Sequence, residues 1–158
     1  MTEPQHAAPV ARLVEIVFPH HTNPYGTMFG GTAYALMDRA AFLAANQFAR
    51  CNTVTASSEH VDFTVPIHQG EIVEAAARVV FTGRTSMIVR VDLNAREPLE
   101  SEWRRCTAGF FTMVAIDADG RPQPAPQLVP ASDEDRADWE IAEGIRQRAA
   151  ARRLSAGR

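Results

Sequence analysis

The chain contains no lysine: all 16 of its basic side chains are arginine. That absence excludes Schiff-base chemistry and a lysine nucleophile. Any phosphate would have to be held by arginine, hydroxyl groups or backbone N–H groups. Cysteine is almost as scarce. Cys51 and Cys106 lack metal-ligand spacing, and no basic segment followed by an apolar stretch opens the chain. Two reduced thiols in a cytoplasmic protein are therefore expected in place of a disulfide. The histidines follow no HxxxH or HxH spacing, so no metal site is expected. The GxSxG pattern of a serine nucleophile is missing too. No apolar run approaches the roughly 18 to 20 residues that span a bilayer, which argues against a membrane segment. With a net charge of −3, the chain has no general electrostatic attraction for nucleic acid.

What is present fits one domain with a real core: 158 residues, 46% of them apolar. Residues 1–9 are expected to have no fixed structure. A first strand over 12–18 stops at Pro19, and a loop punctuated by proline and glycine leads into an apolar helix over 32–50. After Arg50 the pattern turns to β. The stretch 53–65 is rich in β-branched residues, 67–70 reads as a turn, and 71–82 reads as a long strand broken at Gly83. Met87, Val89, Val91 and Leu93 alternate with Ile88, Arg90, Asp92 and Asn94, the clearest period-2 signal in the chain. A polar loop, a strand over 103–116 and a turn at 117–120 complete the β region. The proline-containing segment 121–130 is expected to run extended over the surface, and Ser132 to start a C-terminal helix. Four consecutive strands with short connections favour an antiparallel sheet, five-stranded with the first, and a helix lying across its concave face. The exposed sheet edges predict pairing of two copies.

The chemistry centres on Asn23-Pro24-Tyr25-Gly26-Thr27-Met28-Phe29-Gly30-Gly31, which runs straight into that helix. N–H groups at a helix start lack partners and suit an anion or a developing oxyanion. Gly30 and Gly31 either expose those groups or merely allow tight packing. Asp38 follows about two turns later among Leu36, Met37, Ala40 and Ala41. A carboxylate on a buried helix is costly unless paired or used, because desolvation disfavours its charged form. It is either a base or nucleophile, or a structural partner of Arg39 or another arginine. Asn23, before a proline, reads first as a turn residue. Thr82-Gly83-Arg84-Thr85-Ser86 reads first as an ordinary hairpin turn, and His60 as a half-buried structural histidine.

Taken together, residues 22–31 with Met37-Asp38, then Val54-Thr55 and Glu59, Phe63-x-x-Pro66-Ile67-x-x-Gly70-Glu71, Thr82-Gly83-Arg84-Thr85-Ser86 and Val114-Ala115-Ile116-Asp117-x-x-Gly120 resemble the hotdog-fold acyl-CoA thioesterases, acyl-CoA hydrolase branch. The likeness spans about residues 12–125. It departs at Thr27, where the family often carries Asp, and at His60. The resemblance implies an α+β hotdog fold, a long central helix wrapped by a five-stranded antiparallel sheet, here with a C-terminal helix. It implies a thioesterase domain over 10–125; the proline-containing linker and C-terminal helix over 126–158 fall beyond the likeness. Asp38 would be the base or nucleophile, Asn23 of a neighbouring subunit would orient, and the Gly31 N–H would stabilise the oxyanion. Gly30, Glu59, Gly83, Arg84, Thr85 and Ser86 would bind substrate and its CoA portion. The substrate would be acyl-CoA, with no further cofactor and no metal. A homodimer is the minimum assembly implied, and trimers of dimers occur in similar proteins. The alternative is a non-catalytic acyl-CoA-binding or sensing module of the same fold. A hotdog dehydratase would need a histidine paired with the acid, which the surroundings of Asp38 do not resemble. Trp139, Ile141, Ala142, Ile145 and Ala149 of the last helix would form a stripe packing on a neighbouring subunit, or belong to a loose solvated tail.

Overall fold

The computed structural model describes residues 4–5 and 8–157. Five strands form one antiparallel sheet: β1 (Ala11–Ile16), β2 (Asn52–Glu59), β3 (Ile72–Thr82), β4 (Ser86–Arg96) and β5 (Arg104–Ile116), in the order β1-β3-β4-β5-β2. The helix α1 (Gly30–Ala49) touches all five strands on one face, and α2 (Asp133–Ala156) lies on the other. This is the hotdog architecture. No helix among the described residues is long and apolar enough to cross a membrane.

The core is the apolar face of α1 against the inward-facing strand residues. Leu36, Met37, Ala40, Ala41, Ala44 and Phe48 pack on Val73, Val89, Val91, Phe111 and Met113, all buried. The alanines let the helix sit low on the curved sheet. Gly109 serves the same purpose from below, since a Cβ there would lie 2.6 Å from a Val61 methyl and 3.3 Å from Met37 Cε. The helix is not buried on every side, however. Tyr34 and Phe42 are exposed, leaving an apolar strip beside β2, which is an edge strand. Its opening turn also begins two residues before the expected start, so Gly30 and Gly31 belong to the helix.

Two other expectations are corrected. The strand expected over 53–65 ends at Glu59. His60 takes a left-handed conformation at φ 58°, and the chain peels off the sheet although Val61, Thr64 and Val65 are β-formers. Consequently β2 does not neighbour β3. It pairs with the far side of β5, and residues 60–71 cross the end of the sheet to reach β3. The crossing segment stays tied to β5, with the Val65 N–H and Thr64 hydroxyl both donating to the Cys106 carbonyl.

The apolar stripe of α2 packs on its own sheet. Trp139, Ala142 and Ile145 meet Val80, Phe81, Ile88 and Phe110, while Ile141 is exposed. Buried Asp138 anchors the helix by accepting from Arg78 of β3 at 2.6 Å and Arg90 of β4 at 2.7 Å. Ser132 caps it with a reciprocal Ser132–Asp135 box. Segment 121–130 docks as a strap on the β3–β4 turn. Ala125 N–H donates to the Arg84 carbonyl at 2.9 Å and Leu128 N–H to the Thr82 hydroxyl at 3.0 Å. Of the residues expected to lack structure, Gln5 bridges to Leu128. Residues 1–3 and 6–7 lie outside those described.

Candidate active site

Asn23 knots the loop ahead of α1. Its side-chain oxygen accepts from the N–H groups of Tyr25 at 2.9 Å and Thr27 at 3.2 Å, and its amide donates to the Thr27 hydroxyl at 2.8 Å. Gly26, at φ 77°, closes this turn in a conformation that costs glycine least. The loop is then tied to the crossing segment, Met28 N–H donating to the Ile67 carbonyl at 2.7 Å and Gln69 N–H to the Gly26 carbonyl at 3.0 Å. Phe29 enters the helix with no side-chain cap. The first-turn N–H groups of Gly30, Gly31 and Thr32 thus end at an open helix terminus with its partial positive charge. Packing does not account for both glycines. A Cβ on Gly30 would meet the Phe63 ring at 3.4 Å, but one on Gly31 would meet nothing within 4 Å.

Two turns on, Asp38 is half-buried. Its Oδ1 accepts from the Thr55 hydroxyl of β2 at 2.7 Å, and one turn earlier the Tyr34 hydroxyl lies 2.9 Å from Ser58 Oγ. Arg39 pairs with Glu15 of β1 at 3.0 Å, and among the described residues no arginine pairs with Asp38. The structural reading of this carboxylate as half of an ion pair therefore fails. In the sequence Thr55 stands out only as part of the Val54-Thr55 motif of the family resemblance, with no role of its own. Only the docking of α1 on β2 selects it.

The remaining candidates do not converge on Asp38 within one protomer. Among the described residues no hydrogen bond links Asn23 to Asp38. Glu59 faces α2, where Arg148 reaches it at 3.3 Å and Arg152 also donates to it. Burial raises its carboxyl, but the two guanidinium groups outweigh that and hold it below its ordinary value of 4.5. His60 is exposed beside Arg148, its Nε2 at 3.1 Å from the guanidinium. Gly83, Arg84, Thr85 and Ser86 form the β3–β4 turn, closed by Gly83 N–H donating to the Ser86 carbonyl at 2.8 Å, with the Arg84 side chain exposed. Thr85 meets Ala115 near one end of β5, whereas the crossing segment meets Cys106 near the other. At about 3.3 Å per residue that separation is on the order of 30 Å.

A cleft of about 370 Å³ opens between the first turn of α1 and the crossing segment. The wall opposite the helix is held rigidly. Arg104 grips Glu71 with two bonds of 2.6 Å and the Pro66 carbonyl with a third at 3.1 Å. Burial raises the Glu71 carboxyl, but Arg104 and the His68 N–H bring it below its ordinary value. Among the described residues no group of three or more His, Cys, Asp or Glu side chains is placed to hold a metal ion.

The sequence profile of the Thioesterase superfamily matches residues 25–102. The chain is 37% identical over 119 residues to the uncharacterized acyl-CoA thioester hydrolase YkhA of Bacillus subtilis, covering 75% of this chain and 69% of that protein. The chain belongs to the thioesterase superfamily. Within this superfamily, mouse cytosolic acyl coenzyme A thioester hydrolase is 31% identical over 84% of the chain, which spans only 35% of that longer protein. The acyl-CoA hydrolase of Staphylococcus aureus, solved with butyryl-CoA, CoA and CoA disulfide, superposes with a TM-score of 0.85 at 32% identity, over 94% of this chain and 90% of that one. The same enzyme has been solved as single alanine variants of an Asn, an Asp and a Thr. A hexameric acyl-CoA thioesterase superposes with a TM-score of 0.84 at 36% identity, over 90% and 92%. This thioesterase-superfamily chain is thus a hotdog thioester hydrolase by family.

Proposed function

We propose that the protein hydrolyses acyl-CoA to a free carboxylic acid and CoA, with each site shared between two copies. The Asp38–Thr55 contact carries this reading. It is a carboxylate with a hydroxyl donor, no ion-pair partner among the described residues, and a side open to solvent. In the Staphylococcus aureus enzyme the Asn, Asp and Thr replaced by alanine are separated by 15 and 17 positions, and Asn23, Asp38 and Thr55 are the same three residue types at the same separations.

In the proposed step Thr55 holds one carboxylate oxygen of Asp38, and the other takes a proton from water. The water oxygen bonds to the thioester carbonyl carbon, and the charge that develops on the carbonyl oxygen is met by the Gly31 N–H at the open helix end. The carbon–sulfur bond then breaks, and the departing CoA thiolate takes up the proton. No metal or redox group enters this scheme.

Asn23 is assigned to the site of the neighbouring copy, because within its own chain no hydrogen bond joins it to Asp38. A second copy laid along the β2 edge would cover Val54, Tyr34 and Phe42, all exposed here, and bring its own loop toward Asp38. The hexameric thioesterases among the structural neighbours support three such dimers in one assembly. Arg84 is assigned to the phosphates of CoA, together with the Arg84 and Thr85 N–H groups. The Gly83 N–H is taken within the turn.

The test is thiol release from acyl-CoA by wild type and by Asp38→Asn, which keeps an acceptor for Thr55 but removes the base. The proposal predicts turnover by wild type and a loss of roughly 100-fold or more in the variant, the scale of a general base. Tight binding without thiol release by wild type would support the non-catalytic binding module.

A further inference from the structure

Most arginines of the chain are already spent, in ion pairs or on carbonyl oxygens. Among the described residues, the side chains of Arg50, Arg84, Arg146 and Arg153 make neither kind of contact. Two of these meet at one turn. Arg84 lies within the β3–β4 turn, and Arg146 reaches it from α2. The Arg146 guanidinium lies over the Phe81 ring, 5.9 Å from its centroid. Its Nε stands 3.7 Å from the place a Cβ on Gly83 would occupy. Trp139 backs the same ring, with centroids 4.5 Å apart, so the support under Arg146 is firm. A ring face attracts a guanidinium without using any of its N–H donors. Gly83 does not need glycine for its backbone, whose φ is not positive. A Cβ there would instead crowd Ser86 Oγ at 3.0 Å and touch Arg146. The turn therefore sits low beneath a seated guanidinium whose donors are free.

Resting on the acyl-CoA hydrolase reading, we infer that Arg146 is a further substrate-binding residue. With Arg84 it holds the phosphate groups of CoA, and the pair makes the protein prefer CoA thioesters to thioesters that carry no phosphate. Arg146 lies outside residues 25–102, which the superfamily profile matches, so the family signature does not assign it. A guanidinium can give a phosphate two parallel N–H bonds, and one already seated loses less freedom on binding than a free side chain. The position suits a site shared between copies. The turn lies at the Asn52 end of β2, whereas the crossing segment leaves from the Glu59 end. In two copies paired antiparallel through β2, the turn of one lies beside the crossing segment of the other. An arginine that is merely solvated would make no distinction between substrates.

The experiment measures kcat and KM for butyryl and octanoyl esters of CoA and of pantetheine, which offers the same thioester without phosphate. Wild type, Arg146→Gln and Arg146→Lys are compared, and the Kd of CoA is measured for each by calorimetry. In wild type kcat/KM should favour the CoA esters. In Arg146→Gln that preference should fall by roughly tenfold or more, through KM and not kcat, and the Kd of CoA should rise by the same factor. Arg146→Lys, which keeps the charge, should recover part of the loss. Added salt should narrow the gap between wild type and Arg146→Gln. A preference that is absent from wild type, or that Arg146→Gln leaves unchanged, overturns the inference while leaving the hydrolase reading standing. Absence of thiol release by wild type from every ester overturns that reading instead. The Kd of CoA then decides the inference, and a value that Arg146→Gln does not raise overturns it.

Discussion

At the scale of single residues, the most telling feature is a side chain that is missing. Gly31 stands where nothing among the described residues of its own protomer would obstruct a Cβ, and alanine is the better helix former. A glycine there lowers stability without easing any contact within the protomer. Gly31→Ala should therefore leave the melting temperature unchanged or slightly higher, while kcat/KM falls because the added methyl crowds the oxyanion position; thermal melts beside thiol-release kinetics check both halves. Asp38 was legible in the sequence because one carboxylate on an apolar helix is conspicuous. Its partner was not. The Val54-Thr55 motif marks the position, but Thr55 is one of six small or β-branched residues in a row, and only the crossing of α1 over β2 gives it a role. Asn23 keeps two readings: the turn role, which its hydrogen bonds satisfy, and the role in a neighbouring site.

Among the elements, those with a clean period were legible and those set by distant contacts were not. The alternation in β3 and β4, the long strand read at β5 and the apolar run of α1 locate these elements to within two residues. The segment 60–66 was not legible, since its composition is that of a strand. It is diverted after a Glu59 held by Arg148 and Arg152, which lie about 90 residues away in sequence and are invisible to any local pattern. That diversion makes the cleft wall, and the Glu71–Arg104 pair holds it. Because the folded state lowers the Glu71 carboxyl below 4.5, the pair contributes its full stability above about pH 4.5. The contribution is lost as the pH falls through the lower folded value. Glu71→Gln should thus melt below wild type at neutral pH, with the gap closing as the pH falls below about 4.5; melting curves across that range check the sign.

On the scale of the whole molecule, the proposal of a second copy rests on the family resemblance, on the exposed sheet edges and on what one copy leaves uncovered. The edge strand β2 carries Thr55, the uncovered strip of α1 carries Asp38, and Tyr34 and Phe42 beside them are exposed apolar side chains. The α2 helix takes no part in that strip, because it is spent covering the opposite face of its own sheet. The sheet order was beyond local pattern, since placing β2 beside β5 depends on a twelve-residue crossing that reads as strand and turn.

Asn23 of one copy is proposed to serve Asp38 of another, and mixing two inactivating variants checks this. Asn23→Ala and Asp38→Asn are each purified, then denatured and refolded together, and thiol release is compared with each variant refolded alone. Shared sites predict recovery to about a quarter of wild-type activity, because half of randomly formed dimers are mixed and each mixed dimer rebuilds one intact site. A mixture no more active than its components, from subunits shown to have exchanged, would place both residues in one chain's site and contradict the account.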